Sequence, residues 1–396
     1  MANGREVVIL SGVRTAIGDY GGSLKDFAPS DLAARVVKEA VSRAKVEPAE
    51  IGQCVFGNVI HTEAKDMYLS RLACVNGGLP VTSGALTLNR LCGSGMQAIV
   101  TASQYILLGD TDAAIGGGAE SMSRGGYLSP AERWGARMGD AKIVDMMVGS
   151  LTDPFDVVHM GITAEAVASK CGISRAAQDA FAVESHKRAA AATAAGHFKS
   201  QILAVELKSK KGPVSFDTDE HIRADASVEG MGKLRPAFVK ENGTVTAGNA
   251  SGINDAAAAV VLMEKSAAEK KGLKPMARLV SYGHAGIDPK IMGLGPVSAV
   301  KSALAKAGLK ISDMDVIESN EAFAAQALGV SKELGLDPAK VNPNGGAVAL
   351  GHPIGATGAI LTIKALYELH RTGQRYALIT MCIGGGQGIA AIIERM

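Results

Sequence analysis

An α/β fold built from two related halves is predicted by three observations. Short apolar runs alternate with amphipathic stretches, the same order of elements returns near the end of the chain, and glycine is abundant while aromatic residues are scarce. Glycine supplies 48 of 396 residues and aromatics only 4%, so the core must be made of Ala, Val, Ile and Leu, with glycine kept for turns and close backbone approaches. A chain of this length predicts two or three domains.

Residues 7–10, Val-Val-Ile-Leu, read as a strand. Residues 32–44 read as a helix with Asp31 as its N-cap. Residues 54–56 read as a strand, and 96–108 as a helix stopped by Gly109. Residues 113–115 read as a strand ending in Gly116, Gly117 and Gly118. This alternation predicts a largely parallel sheet. The last third repeats the plan. A helix over 297–307 matches 32–44, and one over 360–369 matches 96–108. The strand 377–381 ends in Ile383-Gly384-Gly385-Gly386, the counterpart of Ile115-Gly116-Gly117-Gly118. An internal duplication of a βα unit of more than about 100 residues is expected. Between the halves, 122–251 breaks the rhythm. It is rich in Gly, Met and charge, and holds Trp134, the only tryptophan. It reads as a lid-like insertion, which divides the chain into 1–121 plus 252–274, 122–251, and 275–396. Within it Lys208, Lys210 and Lys211 read as a solvated face.

Composition narrows the function. With 41 basic and 39 acidic residues the net charge is +2, which gives no reason to expect nucleic acid or membrane as a partner. No apolar run reaches the length of a membrane span, and no signal-peptide pattern is seen. The five cysteines are Cys54, Cys74, Cys92, Cys171 and Cys382. Their odd number and the absence of a CxxC pair fit free thiols in a reducing cytoplasm.

Four segments carry chemistry. Cys92 lies where an extended run meets a helix start, among Gly93, Ser94 and Gly95. Helix N-termini offer free N–H groups and positive potential, so a thiol there is expected to have a lowered pKa and an oxyanion pocket beside it. His352 sits in a Gly- and Pro-framed loop before a helix, as suits a proton carrier near neutral pH. Cys382 ends a strand and precedes a glycine turn, and Asn320 and Glu321 open a helix. Taken singly, each also fits a plainer role: a buried inert thiol, a surface imidazole, a core cysteine, a helix cap. The duplication brings them together, because matching strand ends and helix starts converge on one edge of a doubly wound sheet.

These segments resemble the four motifs of the thiolase family, in order and from end to end of the chain: LNRLCGSG at 88–95, NEAFA at 320–324, GHPIGATG at 351–358 and CIGGGQG at 382–388. The pair His159-Met160 before Gly161 is similar to the short-chain biosynthetic branch. The resemblance implies two βαβαβαββ halves in a five-layered α/β/α/β/α core, with a loop domain over the cleft. It implies Cys92 as the acylated nucleophile, His352 as its activator, and Cys382 as the acid/base that works on the acetyl methyl. Asn320, through a water, would join His352 in one oxyanion hole, and the N–H groups of Cys92 and Gly384 would form the other. For coenzyme A it implies Ser251, Ala247, Phe238 and, at the adenine and phosphate end, Arg223. Around the acyl group it implies His159, Met160, Leu151, Met292, Ala322 and Phe323. Gly230 departs from the serine that some members place near the adenine.

The implied substrates are acetyl-CoA, CoA and short 3-ketoacyl-CoA, with no metal or other cofactor. The implied assembly is a homotetramer, a dimer of dimers. Degradative 3-ketoacyl-CoA or β-ketoadipyl-CoA thiolases would keep the same catalytic residues. A decarboxylating condensing enzyme would carry histidine in place of Cys382. A non-catalytic acyl-CoA or lipid binder would be expected to lose Cys92, His352 or Cys382. Cys54, Cys74 and Cys171 match no motif and read as structural. Arg14 and Thr15 read as packing or interface residues, and Trp134 as a packing or subunit anchor.

Overall fold

A computed structural model describes residues 4–210 and 212–396. Lys211, part of the expected basic face, lies outside the described residues. The first half runs β1 (Val7–Thr15), α1 (Pro29–Ala44), β2 (Gln53–Gly57), α2 (Leu69–Asn76), β3 (Gly84–Leu88), α3 (Ser94–Leu108), β4 (Ala113–Ser121) and, after the insertion, β5 (Asn254–Glu264). The insertion contributes α4 (Met160–Cys171) and α5 (Arg175–Ala194). The second half runs β6 (Ala277–Gly286), α6 (Gly295–Ala307), β7 (Val316–Ser319), α7 (Ala324–Leu334), α8 (Thr357–Thr372), β8 (Tyr376–Ile383) and β9 (Gln387–Arg395).

The strand order is β7-β8-β9-β6-β1-β5-β4-β2-β3, so each half has the same arrangement and the two meet where β1 pairs with β6. Alternate faces of the strands enter different cores, which stacks the molecule in five layers. Val8, Leu10, Val13 and Ala257 pack under α1 and α2. Ile9, Ala258 and Val260 of one half and Ile379, Met381 and Ala391 of the other enclose α3 and α8. Leu378, Ala390 and Ile392 pack under α6.

Four expectations change in detail. The sheet is mixed rather than largely parallel: β2–β3, β2–β4 and β7–β8 are parallel, but β4–β5, β5–β1 and β8–β9 are antiparallel. In the second half a three-residue turn joins β8 directly to β9 and makes them antiparallel, and β4 and β5 keep the same pairing with the insertion between them. Helix α1 begins at Pro29 with Ala28 at the cap, and Asp31 lies in its first turn. Proline's fixed φ starts the helix there, and Asp31 still faces the positive helix end. The glycines 116–118 lie inside β4 and do not end it. A Cβ on Gly116 would lie 2.6 Å from the Ile99 Cα, so this glycine lets α3 rest directly on the strand, while Gly118 makes room for the Gly355 carbonyl. Their counterparts do form a turn, with φ of +78° at Gly385 and +83° at Gly386.

The fourth change concerns the second half, whose third strand is reduced to a single parallel bridge between Ile317 and Val341. The chain turns away at once through Asn342 and Pro343. The Asn342 side chain takes over the pairing: its Oδ1 accepts from the Ser319 N–H at 2.9 Å, and its Nδ2 donates to the Ser319 carbonyl at 2.8 Å.

The insertion is tied to the core at β1. Ile202 and Leu203 pair with Arg14 and Thr15. Arg14 is fully buried and forked onto Asp219 at 2.7 and 2.9 Å. Trp134 is 87% exposed. Lys208 and Lys210 are exposed. All five cysteines are buried free thiols.

Candidate active site

Cys92 and His352 are carried by equivalent positions of the two halves. Each lies just before one of the two central helices, and α3 and α8 touch near their N-terminal ends. A Cβ on Gly95 would lie 2.8 Å from the Ala359 nitrogen, so both positive helix ends face the same region. The turn holding Cys92 is strained: Leu91 has φ +44°, a conformation that costs a branched residue roughly 1–3 kcal/mol and persists where the surroundings impose it.

His352 is 5% exposed and fixed on three sides. Its backbone N–H donates to Asn254 Oδ1 at 2.9 Å. Its Nδ1 lies 2.7 Å from Thr357 Oγ1, whose own proton goes to the Pro353 carbonyl at 2.9 Å. A hydroxyl has one proton to give, so Thr357 must accept from His352 Nδ1–H. That leaves Nε2 as a bare lone pair. The Asn320 Nδ2 lies 3.4 Å from Nε2. Asn320 is held by its N–H to the Thr380 carbonyl at 2.9 Å, and its Oδ1 is buried without a partner among the described residues.

The electrostatics depart from the sequence expectation. Burial pushes the Cys92 thiol up to about 11, against N–H bonds from Gly384 and from Cys92 itself, with the nearby Glu120 charge adding to the rise. The expected lowered pKa is therefore wrong for the resting site: desolvation outweighs the helix terminus. Burial likewise lowers His352 to about 4. Cys382 is raised well above the usual thiol value by burial and by the neighbouring Cys92. The resting site is a set of neutral groups, with a thiol donor and an imidazole acceptor.

Residues 7–266 match "Thiolase, N-terminal domain" and 273–395 match "Thiolase, C-terminal domain". The chain belongs to the thiolase family. It is 69% identical to the β-ketothiolase BktB of Cupriavidus necator, over 99% of this chain and 100% of that one. It is 51% identical to an acetyl-CoA acetyltransferase of Chromobacterium violaceum, over 98% and 100%. The structure of human mitochondrial 3-ketoacyl-CoA thiolase in complex with CoA superposes with a TM-score of 0.96 at 44% identity, covering 99% of this chain and 98% of that one.

Around the thiols, the residues expected from the thiolase resemblance divide into two apolar groups. Cys92 packs with Ile60, Met122 and Ile354, and Leu151 and Met147 close over them. Cys382 packs with Met160, Met292, Ala322 and Phe323, bordered by Phe238 and Leu91. Met160 lies directly on Gly384, where any Cβ would collide with it. The His159 ring stacks on Phe238 at 4.5 Å, and its Nδ1 accepts from the Gly161 N–H at 3.0 Å, capping α4. Ser251 donates its N–H to the Ala322 carbonyl at 3.0 Å, which joins the segment before β5 to the acyl region. Ala247 is exposed and joins neither group. Arg223 is also set apart, with its guanidinium 3.3 Å from Asp19.

Several residues of the site were not singled out by the sequence. Thr357 lies inside the quoted GHPIGATG run, at hydrogen-bonding reach of a histidine across one helical turn. Asn342 lies upstream of that run. Asn254 and Glu120 gave weaker signals, each a polar residue in or beside an apolar strand run.

Proposed function

We propose that the protein is a short-chain thiolase: an acetyl-CoA C-acetyltransferase that condenses two acetyl-CoA, or acetyl-CoA with propionyl-CoA, to a 3-ketoacyl-CoA and CoA, and also runs in reverse. The observation that carries this reading is the pair of neighbouring thiols, Cys92 and Cys382, beside the loop of His352, whose Ile354 packs on Cys92 and whose imidazole keeps its Nε2 lone pair as an acceptor. Greater similarity to a β-ketothiolase than to the acetyl-CoA acetyltransferase supports acceptance of short chains beyond acetyl.

In the first half-reaction His352 Nε2 takes the Cys92 proton as the sulfur attacks the thioester carbonyl. The tetrahedral oxyanion collapses and expels the CoA thiolate, which receives the proton from His352. Acyl-Cys92 remains. A neutral pair avoids a buried thiolate until substrate displaces water, and the developing sulfur charge meets the Gly384 N–H. In the second half-reaction Cys382 gives its proton to His352 Nε2 and, as thiolate, removes a proton from the acetyl-CoA methyl. The enolate oxygen is met by the His352 Nε2–H and by Asn320, through a water on the Asn320 side. The carbanion attacks acyl-Cys92, whose oxyanion lies toward the N–H groups of Cys92 and Gly384, and Cys92 leaves as a thiolate that takes the proton back from His352, while Cys382 keeps the methyl proton. Two oxyanions at different positions require two holes, each donor contributing roughly 3 kcal/mol. Bonds are exchanged between thioesters without a change of oxidation state, so the reaction calls for no metal or redox cofactor.

Ser251, Phe238, Ala247 and Arg223 are assigned to coenzyme A. The cytoplasm is the assigned compartment; no described helix is long and apolar enough to cross a membrane. A homotetramer is the assigned assembly, with the exposed Trp134 segment at a subunit contact. The test is steady-state thiolysis of acetoacetyl-CoA, 3-ketovaleryl-CoA and a long-chain 3-ketoacyl-CoA by wild type and Cys92→Ser. Fast turnover of the short substrates, lost in the variant, is expected. Preference for the long chain would move the protein to the degradative branch. No turnover of any substrate would refute the catalytic reading in favour of an acyl-CoA binder.

A further inference from the structure

Glu120 is the one acid placed in the glycine-rich strand β4, and it is fully buried. Its carboxyl receives four N–H donors from two other segments. Oε1 accepts from Asn58 Nδ2 at 3.1 Å and from the Ile60 N–H at 3.0 Å. Oε2 accepts from the Val59 N–H at 3.1 Å and from the Gly355 N–H at 2.8 Å. Ile60 is part of the wall against which Cys92 packs. Gly355 belongs to the loop that carries His352. A Cβ on Gly355 would lie 2.5 Å from Oε2, so the glycine is what lets the carboxyl reach this loop. Every partner is a donor, a pattern that only an ionised carboxylate satisfies, since a protonated one needs an acceptor of its own.

We propose that Glu120 is a positioning residue whose carboxylate ties the wall of the Cys92 pocket to the loop carrying His352. The inference rests on Cys92 and His352 acting as assigned above. The carboxylate fixes the two reactive side chains relative to each other across the boundary between the halves. It has a second effect, because its charge is felt at the Cys92 sulfur and opposes ionisation there. Glu120 thereby favours a thiol that ionises only as His352 receives its proton. Burial pushes Glu120 up, and the Asp255 charge on β5 adds to the rise, while the N–H bonds from Ile60, Gly355 and Val59 oppose it and favour the ionised form that the four donors require. The groups to be considered around this pair are Cys92 before α3, His352 before α8, Asp255 on β5 and Cys382 at the end of β8.

The test uses the full-length chain and two variants. Glu120→Gln keeps the shape, removes the charge and turns an amino group toward N–H donors. Its kcat for acetoacetyl-CoA thiolysis is expected to fall about 10- to 100-fold, the cost of a small misplacement of reacting groups, with KM little changed. Its Cys92 is expected to react faster than wild type with iodoacetamide at pH 8, with the rate profile displaced to lower pH. Gly355→Ala breaks the same tie but keeps the charge, so kcat should fall while Cys92 alkylation stays at the wild-type rate. If Glu120→Gln does not fold, Gly355→Ala carries the test alone. Wild-type turnover in either folded variant, or a parallel fall of turnover and alkylation in Glu120→Gln, would overturn the proposal. Loss of activity in Cys92→Ser tests the underlying catalytic reading separately.

Discussion

Replacing Thr357 by valine isolates the tautomer of His352. The Thr357 hydroxyl accepts from His352 Nδ1 at 2.7 Å and donates to the Pro353 carbonyl at 2.9 Å. Valine keeps the shape and removes both bonds. The buried Nδ1–H then either loses its acceptor or gives up the proton, and the tautomer that carries it on Nε2 cannot receive one from Cys92. An unsatisfied buried donor costs roughly 1–3 kcal/mol, which corresponds to about a 5- to 150-fold slower acylation. In serine proteases the loss of the group that orients the catalytic histidine costs about 10,000-fold, an upper bound here because the hydroxyl carries no charge. The assay is single-turnover acetylation of Cys92 by acetyl-CoA, followed by intact-protein mass. Thr357→Ser, which restores the hydroxyl, should return the rate to near wild type. Acetylation by Thr357→Val within twofold of wild type would refute the tautomer argument.

Cys382→Ser should separate the half-reactions: exchange of acetyl between acetyl-CoA and CoA persists, while condensation falls by about 100- to 10,000-fold, as expected for loss of a positioned base. Equal loss of both would place Cys382 in the acylation step instead. Because burial pushes Cys92 up to about 11, its alkylation by iodoacetamide should climb steadily between pH 7 and 10 in wild type. A plateau near neutral pH would show a preformed thiolate. Arg14→Met leaves Asp219 buried without its partner and should destabilise the chain by roughly 3–5 kcal/mol, measured by chemical denaturation. An unchanged midpoint would mean that water reaches Asp219.

The fold, and the strand ends and helix starts that carry Cys92, His352 and Cys382, were legible because they rest on local order. Gly109 ends α3 in the left-handed conformation (φ +87°) where the pattern placed the stop, and the repeated order of elements announced the duplicated halves. What the sequence hid depends on distant partners. The glycines 116–118 read as a strand end because nothing local reveals a helix lying on the strand. The thiol of Cys92 reads as activated from its helix terminus, yet its ionisation is governed by burial, a property of the whole cleft. Glu120 was not singled out because its four donors come from positions 58–60 and 355. The second half's missing strand was invisible for a similar reason: an asparagine side chain can imitate a strand's hydrogen bonds without any periodic pattern.

The pairing of β1 with β6 makes one continuous ladder out of two halves, and α3 and α8 are wedged together behind it. Such a cleft cannot open like a jaw. Bending it would break sheet bonds and unpack a shared helix pair in the same movement. For the proposed reaction, access for a thioester is then left to the inserted residues, while the floor behaves as an anvil. Amide exchange should record this division of labour: protection in β1, β6, α3 and α8 lost together and late, and exchange in the segment around residues 127–157 proceeding on its own, earlier clock.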